Sequence, residues 1–201
     1  MLLTRFIRRT LLCALITLPA ACVANTTGVS RLDNDLPVTR WDHRPEAAKW
    51  TAATLTALES HGDGLLNVTP SDIGRFCPGY AKGDEDERAA FWAGFLSALA
   101  KYESTWNPRA SGGGGRWLGL LQIDPRTARG YGCQAQTAEA LKDGAANLSC
   151  AIRIASVQVA RDGMVAGNGR QGFGRDWAPI RDARKTSEIA AWTRVQEYCQ
   201  G

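Results

Sequence analysis

The clearest hydrophobic pattern in the chain lies between residues 85 and 102, where Phe91, Phe95 and Leu99 recur every fourth residue. This spacing predicts a helix with one buried face. Its acidic start complements the positive end of the helix dipole. The pattern ends at Asn107-Pro108, because the residue before a proline is biased away from helical angles.

Most of the remaining patterns also predict helices. The final one is expected to turn four hydrophobic residues inward, Ile189, Trp192, Val195 and Tyr198. The predicted helices cover residues 45–60, 137–141, 145–160 and 187–198, with loops over 62–83 and 163–174. Strand signals are few, and 118–123 reads either as a strand or as the lead into a helix. The sequence therefore predicts an α-dominated α+β domain with at most a small β-sheet.

The N-terminus has the pattern of an export signal. Residues 1–24 combine a basic start, a short apolar run and small residues suited to cleavage. Two outcomes are open: cleavage after Ala24, or cleavage before Cys22 with lipidation and an outer-membrane anchor. We expect a periplasmic protein with a flexible segment over 25–44 and one folded domain over 45–201.

Four cysteines follow the predicted signal, and an even number in an exported chain favours two disulfides over a metal site. Three pairings are possible. We favour Cys133 with Cys150 as a local link and Cys77 with Cys199 as a link between the ends of the domain. No metal or cofactor is expected.

The charge of the chain argues against a nucleic-acid partner. Removal of residues 1–21 takes away three arginines and no acidic residue, which lowers the formal net charge from +4 to +1. The expected form is a monomer.

Glu103 is the strongest candidate for chemistry. It lies eight residues after Phe95 and four after Leu99, so the helical period places it at the edge of the buried face. It also lies at the C-terminal end of the helix, where the dipole disfavours a negative charge. Both effects raise the pKa of a carboxyl group, and Tyr102 and Trp106 are close enough in sequence to shield it from water. Such a carboxyl can act as a general acid.

The surroundings of this glutamate resemble the lysozyme-like lytic transglycosylases (the SLT domain) and, beyond them, goose-type lysozymes. The segment from Glu103 to Ser111 (ESTWNPRAS) is similar to the Glu-Ser motif of that family, and 119–123 (GLLQI) is similar to its Gly-Leu-Met-Gln-Ile motif, with Leu121 in place of methionine. The likeness extends over about residues 86–160. It implies a lysozyme-like fold.

The resemblance also implies a substrate and a role for each matching residue. Glu103 would be the catalytic acid and base for the β-1,4 bond between N-acetylmuramic acid (MurNAc) and N-acetylglucosamine (GlcNAc) in peptidoglycan, giving 1,6-anhydro ends. Ser104 would orient the acetamido group or the acid, and Gln122 would line the cleft. Ser111 is a further candidate for substrate binding.

The last third departs from the family. The expected Ala-Tyr-Asn stretch is replaced by a glycine-rich segment that ends at Trp177. In the family, the tyrosine of the Ala-Tyr-Asn stretch would contact the glutamate that corresponds to Glu103. Trp177 and Tyr131 are the two candidates for that role in this chain. Aromatic rings stack on sugars, so Trp106 and Trp117 are further substrate-binding candidates.

Asp124 keeps two other functions open. Its segment, Gln122-Ile-Asp124, resembles the Gln-Val-Asp of goose-type lysozymes, in which a second carboxylate positions water, and that role would give hydrolysis with inversion. A non-catalytic peptidoglycan-binding protein on the same scaffold is the third possibility. The presence of both motifs favours an enzyme, and the transglycosylase is the first choice.

Overall fold

The computed structural model describes residues 36–201, so the predicted signal peptide and Cys22 lie outside the described residues. Seven α-helices occur in this part of the chain: α1 Ala47–His61, α2 Asp63–Leu66, α3 Ile73–Phe76, α4 Glu85–Ser104, α5 Pro125–Gly130, α6 Gly144–Asp162 and α7 Ala183–Thr193. Four 3-10 turns accompany them: Ala140–Lys142, Gly172–Arg175, Ala178–Arg181 and Glu197–Cys199. Strands β1 (Ser111–Gly112) and β2 (Trp117–Leu118) form one antiparallel pair. The predicted α-dominated α+β class is confirmed.

Helix α4 runs through the hydrophobic core. Every residue from Ala89 to Ala100 is buried, including the predicted face of Phe91, Phe95 and Leu99. The helix begins with a reciprocal capping box, in which Asp84 accepts from the backbone N–H of Glu87 and the Glu87 side chain accepts from that of Asp84. The core that surrounds this helix fixes the position of its C-terminal end.

Helix α6 packs against α1 and carries one of the two disulfides. Asp143 caps its N-terminus by accepting from the backbone N–H of Ala146. The predicted pairs, Cys133–Cys150 and Cys77–Cys199, are both present, which confirms the pairing drawn from the sequence. The second bond ties the C-terminus to the segment before α4.

The predicted final helix is wrong in its bounds. Asp182 caps an earlier start by accepting from two backbone N–H groups, and the helix ends at Thr193 rather than at Tyr198. The chain then turns so that Cys199 can reach Cys77. Val195 is 67% exposed as a result, and its predicted inward orientation is also wrong.

Two further segments differ from the predictions. Residues 137–141 do not form a helix of their own, and a single 3-10 turn over Ala140–Lys142 takes their place. The predicted loop over 62–83 contains α2 and α3, which are too short to show a hydrophobic period.

The packed part of the chain begins before residue 45. Trp41 is fully buried, and its indole N–H donates to Thr51 Oγ1 at 2.9 Å. Thr39 is buried beside it. Between residues 36 and 201, no helix has the length and apolar character needed to cross a membrane.

Candidate active site

A cleft of about 800 Å³ lies beside the C-terminal end of α4. Five of the predicted site residues line it, namely Glu103, Trp117, Gln122, Asp124 and Trp177. The opposite wall comes from residues 176–185, which belong to none of the predicted helices or loops. The cleft therefore joins the two predicted motifs to the last third of the chain.

Glu103 lies in the last turn of α4 and faces this cleft. Burial raises the pKa of its carboxyl group from 4.5 to about 7, and the positive charge of Lys185 opposes part of that rise. No side chain between residues 36 and 201 hydrogen-bonds to this carboxyl group, so nothing fixes its charged form. A substantial fraction is protonated at neutral pH, as a general acid requires.

The end of α4 is shaped by backbone conformations that most residues avoid. Thr105 and Trp106 have left-handed φ values of 52° and 56°, which stop the helix directly after Ser104. Only Tyr102 of the two expected shielding aromatics lines the cleft. The indole N–H of Trp106 instead donates to the carbonyl of Ser97 at 2.9 Å, away from the cleft.

Asn147 holds the second motif in place. Its fully buried amide donates to the carbonyls of Leu118 and Leu141, at 3.0 and 2.9 Å, and accepts from the backbone N–H of Leu121 at 2.9 Å. Gly119 has a φ of +76°, and a Cβ there would lie 2.4 Å from the Asn147 amide nitrogen. Only glycine fits at this position, and the tight turn delivers Gln122 to the cleft.

The carboxylate of Asp124 is held by several donors. It accepts from Arg116 Nε at 2.7 Å, from Arg126 Nη2 at 3.3 Å and from the backbone N–H of Arg126 at 2.8 Å, where it caps α5. These hydrogen bonds lower the pKa of Asp124 to about 2. Asp124 is therefore ionised at neutral pH and has little tendency to take up a proton.

Trp177 and Tyr131, the two candidates for the missing tyrosine, occupy different places. Trp177 is buried in the cleft wall, where its indole N–H donates to the carbonyl of Leu121 at 2.9 Å. Tyr131 does not line the cleft. Its hydroxyl contacts Gln158, which also donates to Asp176 at 2.8 Å. Neither aromatic residue hydrogen-bonds to Glu103.

The two serine candidates also lie outside the cleft lining. The hydroxyl of Ser104 donates to the carbonyl of Ala100, one turn earlier in its own helix, at 3.3 Å. Ser111 is exposed at the start of β1. Trp117, unlike the two serines, does line the cleft, and 45% of its surface is exposed.

Sequence reasoning missed the charged residues on the far wall: Asp176, Arg181, Asp182 and Lys185. They come from a segment with little hydrophobic periodicity, so no pattern placed them opposite Glu103. Burial raises the pKa of Asp176, and hydrogen bonding to backbone N–H groups lowers the pKa of Asp182. In the described part of the chain, no group of three or more histidine, cysteine or acidic side chains is arranged to hold a metal ion.

Comparison with known proteins finds a matching family model and similar solved structures. The sequence model of the Transglycosylase SLT domain matches residues 82–162, which include both motifs. The solved structure of Bd0314 DslA, wild-type form 2, has 30% sequence identity to this chain and superposes on it with a TM-score of 0.74. The match covers 82% of this chain and 98% of the DslA chain. Two variants of that protein, each with one glutamate replaced by glutamine, give TM-scores of 0.75 and 0.73 at 30% and 31% identity, with the same coverage. No curated protein sequence matches the chain.

Proposed function

This chain belongs to the Transglycosylase SLT domain family, and we propose that it is a lytic transglycosylase that cleaves the MurNAc–GlcNAc bond of peptidoglycan. The observation that carries the proposal is the single carboxyl group of Glu103, which lies in the cleft with a pKa of about 7 and no hydrogen-bonding partner among residues 36–201. Its environment suits a group that first gives and then takes a proton.

The reaction uses Glu103 twice. The protonated carboxyl group donates to the glycosidic oxygen while the acetamido oxygen of MurNAc attacks the anomeric carbon, and the GlcNAc alcohol leaves. The MurNAc 6-hydroxyl then attacks the same carbon. The Glu103 carboxylate takes the hydroxyl proton, the acetamido group is released, and a 1,6-anhydro end forms without water. The substrate thus supplies the group that a second carboxylate provides in most glycosidases.

Gln122 and Trp177 are the residues we propose for sugar binding. The Gln122 amide donates to the carbonyl of Gly119 at 2.9 Å, which orients its oxygen toward Gly112 at the cleft wall. Trp177 is 2% exposed and lines the same cleft, so its proposed contribution is an apolar contact with the sugar from within the wall. Ser104, Ser111 and Tyr131 do not line the cleft, so no direct contact with the sugar is proposed for them.

Hydrolysis is the second candidate, because Asp124 is a carboxylate in the same cleft. A water-activating residue must be basic enough to take a proton, however, and the hydrogen bonds from Arg116 and Arg126 make the Asp124 carboxylate a weak base, with a pKa of about 2. This arrangement favours the transglycosylase. The family and the two disulfides indicate an exported protein that acts on the cell wall, and we propose the periplasm as its location.

Product analysis tests the proposal. Purified peptidoglycan is incubated with residues 25–201 of the chain, with its Glu103→Gln variant and with Glu139→Gln, an exposed control outside the cleft. The released fragments are then identified by mass spectrometry. We expect 1,6-anhydroMurNAc ends from the parent and the control and none from Glu103→Gln. Reducing ends would indicate the hydrolase, and a lack of release by any of the three proteins would indicate a binding protein.

A further inference from the structure

A second pocket of about 420 Å³ adjoins the cleft and is lined by three arginines and a glycine. The arginines are Arg170, Arg175 and Arg181, and Arg181 also lines the cleft. The pocket is built by the glycine-rich segment that replaces the expected Ala-Tyr-Asn stretch, beyond residues 82–162. It is therefore a feature of this chain's own last third.

The start of the segment that forms this pocket is held by hydrogen bonds to a half-buried carboxylate. The carboxylate of Asp72 accepts from the backbone N–H groups of Val165, Ala166 and Gly167 at 2.6, 2.9 and 2.8 Å. Gly174 packs so closely that a Cβ there would lie 2.3 Å from the carbonyl oxygen of Gly169. The pocket wall is thus held in one conformation before any ligand binds.

Arg181 is oriented by neutral partners. Its Nε donates to the carbonyl of Gly174 at 2.7 Å and its Nη2 to the carbonyl of Arg175 at 2.6 Å. Carbonyl groups fix the guanidinium plane without neutralising its charge. The remaining N–H groups of the guanidinium are left for a ligand, and their fixed fork matches a carboxylate.

The three arginines do not carry equal net charge. Arg175 forms a two-point ion pair with the buried carboxylate of Asp162, at 2.6 and 2.9 Å, so its charge is compensated. Neither Arg170 nor Arg181 has an acidic partner in an ion pair among the described residues. Asp176 and Asp182 follow Arg175 and Arg181 directly in the sequence, and both line the cleft and not this pocket. The charge of Arg181 also lowers the pKa of Asp176 against the effect of burial, but the two groups form no ion pair. The pocket therefore has an excess of positive charge.

We propose that this pocket binds a carboxylate of the stem peptide carried by the MurNAc residue in the cleft. The inference rests on the proposed function, because it takes the glycan strand as the occupant of the cleft. The glycan backbone is uncharged where peptide is attached, whereas the peptide bears free carboxylates. Arg181 faces both spaces, so a peptide that leaves the cleft beside it reaches Arg170 next. Guanidinium–carboxylate pairs supply the recognition.

Binding to an inactive protein tests this proposal separately from catalysis. The probe is the disaccharide GlcNAc–MurNAc with a stem peptide whose carboxylates are free, and its control is the same molecule with those carboxylates converted to primary amides. Calorimetry is done in the Glu103→Gln background. We expect the free carboxylates to bind about three- to tenfold more tightly than the amides, as for a partly exposed ion pair. Arg170→Gln should remove that difference, and Arg194→Gln, an exposed control, should not.

The outcomes separate the two proposals. Equal binding of the free and amidated probes, or full preference in Arg170→Gln, would overturn the carboxylate site while leaving the cleavage reaction intact. If the parent does not cleave peptidoglycan but the preference for the free carboxylates still depends on Arg170, only the proposed reaction is overturned. Inorganic phosphate that displaces the probe at equal concentration would show a general anion site and also contradict the proposal. Thermal unfolding of Arg170→Gln checks that the fold is retained.

Discussion

Two carboxyl groups in one cleft, Glu103 and Asp124, show opposite protonation behaviour. The pKa of Glu103 is raised to about 7, whereas that of Asp124 is lowered to about 2. Both lie at the end of a helix. Glu103 is at the C-terminal end of α4 and has no hydrogen-bond donor among residues 36–201, whereas Asp124 is the N-terminal cap of α5 with three donors.

The difference teaches that location in the cleft does not decide the chemistry of a carboxyl group. A helix N-terminus supplies N–H groups and a favourable dipole to Asp124, and two arginines place positive charge beside its carboxylate. The helix C-terminus supplies neither to Glu103, and the hydrophobic core beneath it removes water. One carboxyl group is thereby kept available for proton transfer, and the other is committed to structure.

The largest expected effect is on catalysis. Glu103→Gln should lower the rate of peptidoglycan cleavage by about 10²- to 10⁴-fold, because the proton donor is removed. Asp124→Asn should lower it by less than about tenfold, since the group takes no part in proton transfer. The measurement is the release of soluble fragments under identical conditions. If Asp124→Asn loses as much activity as Glu103→Gln, both carboxyl groups act in the chemistry and the hydrolase gains support.

The next effect concerns the dependence of stability on pH. The folded pKa of Glu103 lies above its unfolded value of 4.5, so its contribution to stability is fully present below pH 4.5 and is lost as the pH rises through about 7. Glutamine stays neutral and escapes this loss. Between pH 5 and pH 8, Glu103→Gln should therefore gain about 1–3 kcal/mol relative to the parent, less than the full shift implies because the group faces an open cleft.

Urea unfolding at the two pH values measures this gain. Glu139→Gln is the matched control, since its carboxylate is exposed and ion-paired with Arg109. Parallel stability curves for the parent and Glu103→Gln across this range would contradict the burial argument.

The reverse sign is expected at Asp124. Its folded pKa lies below the ordinary value of 3.8, so its stabilising contribution is present above pH 3.8 and is lost as the pH falls toward 2. Asp124→Asn should cost about 1–2 kcal/mol at pH 7, through the loss of charge-assisted hydrogen bonds and a weaker cap. Asp86→Asn, at the exposed start of α4, is the control. A cost that stays constant down to pH 2.5 would show that the ion pairs contribute nothing.

The same contrast explains how much the sequence could predict. The burial behind Glu103 was visible because Leu99 and Phe95 lie one and two turns before it in a single helix. The arginines around Asp124 were not, since the turn that brings Arg116 to it depends on the left-handed glycines of 113–115 and on the β1–β2 pair. Periodicity reports contacts within one element and is silent about contacts made across a turn.

The far wall of the cleft was beyond sequence reasoning for a related reason. Trp177 was named only as an aromatic residue in the right part of the chain, and Lys185 was not named. Their positions depend on the start of α7 at Asp182 and on the carboxylate of Asp72, which holds a segment more than 90 residues away. The likeness to the family ended before this segment, so the motifs gave no guidance there.

The smallest expected effect is a change in the pKa of Glu103 through the charge of Lys185. The ammonium group of Lys185 lines the same cleft, 5.6 Å from the centre of the Tyr102 ring, and lowers the pKa of Glu103 against the effect of burial. Lys185→Gln removes that charge, so the protonated form of Glu103 should persist to higher pH. The falling alkaline side of the pH–rate profile should move upward, whereas Lys185→Arg should leave it in place. Cleavage rates measured from pH 5 to 9 test this. An alkaline side that stays fixed in Lys185→Gln would show that burial alone sets the protonation of Glu103.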